Sequence, residues 1–444
     1  MKRKTLLKIL AALMALMLLG GCAQSAAPGN APENPSDAAP PSDASGNAQA
    51  EKVKITMYTE WVGTHPFTGY FNSRLDTFKT AHPEVEVEVD ELAGNTTATM
   101  DGKLKIAISA GELPDVFTTA DASIMNLAKE SNLLYELTNL INGDEAFKSH
   151  LDMNDLATWN GGTDHIYAVN GYKEVFGFFY NKQLLEKAGY SSFPTTWEDF
   201  WKLCDALKAQ GVAPMSLCTT TAWLSSTTFF SLLSEAGETG KALAHTTDVT
   251  DYTGPEYVHA AAQLQKCFQE YTTPDAPGSD LTVAINNFLT GQTAMIVDGA
   301  WRIEEFTSPE TSQIGDYVGV ARLPGNGAVS YPGTGFFCGS KDEAKAKAAY
   351  ELIKSFIGAD GQAEALSMIG AIPTSTSLDV SNLGLHPLMT DILDLRDNLD
   401  YYVTSCWRVY SAATRAIVSQ EQAALGMGQI TPEEYCKNLT NANA

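Results

Sequence analysis

Residues 175–180, Val-Phe-Gly-Phe-Phe-Tyr, form an almost unbroken apolar and aromatic run bounded by Gly171 and Asn181. The run is far too short to cross a bilayer. Its lack of polar alternation predicts a strand covered on both faces, of the kind found in the middle of an α/β sheet. A helix is expected directly after it, because residues 183–188 are good helix formers and Gly189 stands where a left-handed C-cap falls. Pro194 and Thr196 then open a second helix with Trp197, Phe200, Trp201 and Leu203 on its apolar face. A doubly buried strand that feeds helices restricts the chain to layered α/β architecture.

The first half of the folded chain repeats that logic. Val53, Ile55 and Met57 alternate with polar residues, Phe71, Leu75 and Phe78 recur at helical spacing, and Val85-Glu86-Val87-Glu88-Val89 is a strict period-two strand. Strand, helix and strand at this spacing predict a βαβ unit with parallel strands and a right-handed crossover. Ligands of such sheets sit beyond the carboxyl ends of strands, which is where Glu60, Trp61 and Thr64 fall. Leu104, Ala107 and Ile108 give the next helix its stripe, Gly111 caps it, and Pro114 stops it before a third strand at Asp115-Val116-Phe117. A further helix is expected over 124–137.

Several blocks, in this order, resemble the family 1 extracellular solute-binding proteins, the maltose-binding-protein-like receptors of ABC importers. They are the helix-to-strand run ending Ser109-Ala110-Gly111-Glu112-Leu113-Pro114-Asp115, the Y-N-K-x-x-L-x-K-A-G block at 180–189 with P-x-T-W-x-x-F at 194–200, and the helix, turn, strand and Gly-x-Trp of 286–301. The glycine-rich 331–338, Ile369-Gly370-Ala371-Ile372-Pro373, and Gly428-Gln429-Ile430-Thr431-Pro432-Glu433-Glu434 continue the series. Each motif alone is weak, but their collinear order is specific.

The resemblance implies a two-lobed periplasmic-binding-protein-like fold of type II, with a ligand cleft between the lobes and three crossover hinge segments. These are expected near 171–174, at 317–322 and at 369–373. Lobe 1 would comprise 51–171 and 317–360, and lobe 2 would comprise 172–316 and 361–444. Where the family has proline before the first crossing, this chain has Asn170. Proteins of this kind close by bending a few hinge residues between rigid lobes.

The same resemblance implies a carbohydrate, mono- or oligosaccharide, captured for the membrane subunits of an ABC permease. Hydroxyls want acidic and amide partners, and C–H patches want ring faces. Glu60, Trp61, Thr119, Asp121, Tyr172, Glu174, Trp223, Asp298, Trp301, Gly333, Thr334 and Phe336 are the expected ligand contacts. Trp223 would rise from a polar loop at 219–223, and Asp298 and Trp301 would point toward the cleft; Trp407 and Arg408 are weaker candidates. Trp197 and Trp201 are expected in the core. The rival solutes are a polyol, a polyamine or a peptide, since the same acids would also hold a cation.

An enzyme, in particular a secreted glycan hydrolase, is the more distant alternative. Seven scattered histidines include no H-E-x-x-H or metal-ligand spacing, and no G-x-S-x-G elbow occurs. No catalytic residue, cofactor or metal is therefore expected, and ATP would be used by a separate subunit because no P-loop is present.

The N-terminus bounds the location. Lys2, Arg3, Lys4 and Lys8 precede an apolar stretch at 9–19, so 1–22 reads as a signal peptide. It ends Leu19-Gly20-Gly21-Cys22, which resembles a lipobox with Cys22 lipidated, a membrane anchor for a monomeric extracytoplasmic protein. Residues 23–50 hold five prolines and no large apolar side chain, so they predict a disordered tether. The full chain carries 29 basic and 53 acidic residues; without the signal's four basic residues the balance is 25 minus 53, or −28. So acidic a surface excludes nucleic acid. The other six cysteines are widely spaced without a C-x-x-C pair, leaving disulfides and buried thiols equally open.

Overall fold

The computed structural model describes residues 52–90, 97–247, 249–375, 377–396, 398–404 and 406–443. The expected signal, lipobox and tether lie outside the described residues. Four strands come first: β1 (Val53–Tyr58), β2 (Val85–Val89), β3 (Val116–Thr119) and β4 (Ala168–Val169). β5 (Tyr172–Asn181), β6 (Ala213–Met215), β7 (Thr293–Gly299), β8 (Val318–Ala321) and β9 (Gly327–Pro332) follow, then β10 (Gly335–Cys338), β11 (Ile372–Pro373) and β12 (Tyr401–Val403).

They form two sheets. The first runs β2-β1-β3-β10-β4, with β1 parallel to β2 and β3, and β10 antiparallel to β3 and β4. Between β1 and β2 the helix Thr68–Ala81 buries Tyr70, Phe71, Leu75 and Phe78, so the expected βαβ unit is present. The second sheet runs β12-β9-β5-β7-β6, and β8 and β11 also pair with β5.

β5 is the hub of that second sheet. Val175, Phe176, Phe178 and Phe179 are each at most 2% exposed. Phe176 and Phe178 enter one core, while Val175 and Phe179 enter another on the opposite face. Alternate residues of a strand point to opposite faces, so two packed faces leave no polar position in the run. Both edges are paired as well: β9 takes 173–176 and β8 takes 178–181 on one side, and β7 takes 176–180 on the other.

The chain passes between sheets three times: at Asn170-Gly171, at Gly333-Thr334, and at Gly370-Ala371 between the helix Ala359–Ile369 and β11. Asn170, in place of the family's proline, donates from Nδ2 to Asp155 Oδ2 at 3.2 Å and to the Tyr172 carbonyl at 2.9 Å.

Sheet pairing corrects the expected boundaries. Residues 317–322 are not a crossing, because β8 pairs antiparallel to β5 from Asn181↔Val318 to Phe178↔Ala321. Residues 318–332 therefore belong to the second lobe. Conversely, residues 361–369 belong to the first, where Arg74 pairs with Glu364 at 2.9 Å and the Tyr70 hydroxyl bonds the Gly361 carbonyl at 3.2 Å.

The helix expected over 124–137 is shorter, Ala122–Glu130. Asn132 turns the chain with φ +53°, and Tyr135 N then donates to the Cys338 carbonyl, which tethers the extended segment to the first sheet. Trp223 stands in the first turn of the helix Ala222–Leu233 rather than in a loop. Cys204, Cys218, Cys267, Cys338 and Cys436 are buried free thiols.

Candidate functional site

Two adjoining hollows of about 280 and about 330 Å³ share His65, Glu174, Trp301, Arg302 and Tyr331, so they form one groove. The first lobe contributes Glu60, Trp61, His65, Phe67 and Ala120; these follow the carboxyl ends of the parallel strands β1 and β3, where backbone and loops splay open. The crossings contribute Tyr172, Gly333 and Thr334. The second lobe contributes Glu174 and Phe176 from β5, Trp301 and Arg302 from the end of β7, Tyr331 from β9, and Trp223.

Trp301 is half-buried with its ring 4.8 Å from Phe176 in an edge-to-face arrangement. The Gly-x-Trp spacing has a steric cause: a Cβ on Gly299 would lie 2.1 Å from the Trp301 ring, so only glycine lets the indole fold back there. Gly333 plays the same part in the wall, since a Cβ there would lie 2.3 Å from the Tyr172 ring. The Tyr172 hydroxyl donates to Thr334 Oγ1 at 2.8 Å. Trp61 borders the groove but is 2% exposed, wedged among Phe67, Tyr172 and Phe336 at 5.4–6.3 Å. It is a packed wall rather than an open plate.

Electrostatics leave two of the groove's titratable groups, Glu174 and His65, neutral at pH 7. Burial pushes the Glu174 carboxyl up to about 8, and the charges of Asp298 and Glu60 push the same way. Burial also holds His65 down to about 4, so its imidazole is neutral. Its Nδ1 accepts from Phe67 N at 3.1 Å, which leaves the proton on Nε2. Arg302 is held by carboxylates on its own segment: Nε donates to Asp298 Oδ2 at 3.3 Å and Nη1 to Glu305 Oε2 at 2.6 Å. Arg408 borders the groove from the second lobe and lies 4.1 Å over the ring of Trp159 in the first.

Four expected contacts are placed elsewhere. Thr119 donates to Asp101 Oδ1 at 3.1 Å and accepts from Asp121 N at 3.0 Å, which fixes the turn after β3. Asp121 caps the helix Ala122–Glu130 through Ser123 N and pairs with Arg415 of the other lobe at 2.9 Å, beside a further hollow that shares Arg408 with the groove. Asp298 is fully buried, pushed up to about 6 by that burial against the pull of Arg302; it orients Arg302 instead of facing the groove. Phe336 sits inside the first sheet at 2% exposure, packed on Trp61 and Phe356.

The sequence reading missed His65, Phe67, Arg302 and Tyr331. Arg302 had a signal, since it follows the Gly-x-Trp and stands four residues after Asp298. Among the described residues, no group of three or more His, Cys, Asp and Glu is arranged to hold a metal ion.

Two α/β lobes joined by three crossings, with a polar and aromatic groove at the junction, define a binding protein that closes round a small solute. Residues 64–363 match the bacterial extracellular solute-binding proteins, and the chain belongs to that family. It is 25% identical over 150 residues to the multiple sugar-binding protein of Streptococcus mutans; the match spans 34% of this chain and about a third, 33%, of that relative's length. A solved chitin oligosaccharide binding protein superposes with a TM-score of 0.73 at 23% identity, over 88% of this chain and 98% of the other. A Streptococcus pneumoniae solute-binding protein in complex with the blood group A-trisaccharide superposes with a TM-score of 0.72 at 21% identity, over 87% and 98%.

Proposed function

We propose that this chain captures an uncharged carbohydrate between its lobes and delivers it, chemically unaltered, to an ABC permease. The observation that carries this reading is the company the rings keep. Trp301, Trp223 and Tyr331 line a groove whose Glu174 and His65 are neutral at pH 7 and whose Arg302 is offset by Asp298 and Glu305. Ring faces cover sugar C–H patches, and protonated Glu174 both donates to and accepts from hydroxyls at little desolvation cost. A polyamine or a cation would want the opposite, a cluster of ionised acids. The sugar-binding relatives support the same choice.

Glu60 and His65 lie on one lobe, Glu174, Arg302 and Trp301 on the other, so a ligand touching both is held more tightly in the closed state, and that difference drives closure. Cys22 carries the lipid anchor and 23–50 the tether, which keep a monomeric receptor on the outer face of the membrane.

Thermal-shift and calorimetric titration against neutral oligosaccharides, polyols, uronic acids and polyamines tests the solute class. At one hundred times its Kd a neutral oligosaccharide adds about 2.7 kcal/mol of stability. Trp301→Ala is expected to weaken that ligand about tenfold or more. Stabilisation by amines or peptides alone overturns the reading, and new reducing ends would show that the glycan is cleaved.

A further inference from the structure

We infer that a hollow beside Trp223 receives a sugar unit bearing an acyl group, so that the cargo is an N- or O-acylated glycan. The inference rests on the carbohydrate reading and narrows it. The hollow, of about 320 Å³, is set into the second lobe and meets the groove at Trp223 and Cys406, whose residues border both. It is thus a continuation of the groove.

Its chemistry differs from the groove's. The helix Ala222–Leu233 supplies Ala222 and Trp223, the helix Ala412–Gly426 supplies Ala412, Ala416 and Val418, and Tyr410 closes one side. Ser226, Ser419 and Arg415, three of the polar residues at its edge, are engaged with protein. Ser226 Oγ accepts from Gln422 Nε2 at 3.2 Å, Ser419 Oγ donates to the Arg415 carbonyl at 3.0 Å, and Arg415 Nη2 donates to Asp121 Oδ2 at 2.9 Å. Ala412 and Ala416 stand one turn apart on one helix face, exposed, with only methyls turned to the space.

A bare sugar ring entering here loses water from its rim hydroxyls and regains few hydrogen bonds, which is unfavourable. An acylated ring carries a methyl tip that covers the two alanines, its C–H face lies on Trp223, and its acyl carbonyl can accept from the Tyr410 hydroxyl, a buried donor with no hydrogen-bond partner among the described residues. The size is also suitable. An apolar cavity of about 150 Å³ takes benzene, and this hollow is about twice that, enough for a ring with its substituent.

The mature chain is titrated calorimetrically with matched pairs: chito-oligosaccharides against cello-oligosaccharides of equal length, and acetylated against alkali-deacetylated xylo-oligosaccharides. The acylated member is expected to bind about tenfold or more tightly, the discrimination an apolar pocket gives one small group. Ala416→Phe, with Ala412→Phe as the second variant, fills the hollow and is expected to bring that ratio close to one. Equal affinity within each pair, or a ratio that survives both substitutions, overturns the acyl assignment and leaves the carbohydrate reading standing. Failure of every glycan to bind overturns both.

Discussion

Glu174 gives the groove a pH signature that can be worked out in advance. Its carboxyl has an ordinary value of 4.5 and is pushed up to about 8 in the folded chain, first by burial and then by Asp298 and Glu60. Between these limits the unfolded chain has released the proton while the folded chain still holds it. The folded state therefore binds more protons across the window, and its stability falls as pH rises from 4.5 through 8. Above about 8 the loss is complete, at most about 5 kcal/mol for this gap. The folded part has about 390 residues, so its unfolding entropy is about 0.8 kcal/mol per degree. The same loss thus corresponds to about 6 °C.

Glu174→Gln keeps the shape and removes the ionisation. Melting curves of the two proteins, recorded from pH 4.5 to pH 9 at fixed salt, are expected to start together and diverge, with the glutamine variant up to about 6 °C higher at the alkaline end. Glu60→Gln removes one repelling charge, so it is expected to move the wild-type break to lower pH. Parallel curves, or a wild type that gains on the variant as pH rises, would refute the argument that Glu174 is held neutral in the groove.

Two further substitutions probe the junction. Asp121→Asn keeps the helix cap, since asparagine caps as well as aspartate, but it strips Arg415 of a partner 2.9 Å away across the lobes. The expected cost is about 3 kcal/mol, read as a larger radius of gyration in small-angle scattering of the ligand-free protein; an unchanged profile would show that the pair does not hold the lobes. Gly333→Ala drives a Cβ to 2.3 Å from the Tyr172 ring. About 1–3 kcal/mol of destabilisation and weaker ligand binding together are expected, and a melting point equal to wild type would show that the ring shifts at no cost.

What the sequence made legible follows from the range of the interactions involved. β5 announces itself because burial of both faces leaves only apolar residues, a purely local consequence. The caps are equally local: Thr431 and Glu434 form the reciprocal pair that a Thr-Pro-Glu-Glu run predicts. Sheet membership is not local. Val318-Gly-Val-Ala reads as a strand whichever sheet accepts it, and only its pairing with 178–181 puts it in the second lobe.

Two of the misplaced contacts, Thr119 and Asp121, are near misses of one kind. At a strand end successive side chains face opposite ways, so an error of one residue exchanges groove for core. Ala120 reaches the groove while Thr119 and Asp121 build the turn beside it. Asp298 is buried three residues before Trp301, which lines the groove. Phe336 fails for a related reason, because the second crossing is over by Thr334 and β10 already lies in the sheet.

The three crossings act as one joint because they are fastened to each other around Tyr172. Its hydroxyl bonds Thr334, its carbonyl accepts from Gly333 N at 2.9 Å, and its strand pairs with Ile372-Pro373 of the third segment. Lys173, next in line, reaches Asp152 at 2.9 Å and Asp155 at 3.1 Å in the first lobe. A joint cross-linked in this way favours rotation of the lobes as rigid bodies over independent flexing of each segment. Tyr172, Gly333 and Thr334 also line the groove, and Glu174 lies two residues from Tyr172. On the proposed reading, a solute seated there would therefore press on the joint itself. On the same reading, contacts with Glu60 on one side and Arg302 on the other would be complete only at one lobe angle, so affinity and closure would be set by the same few residues.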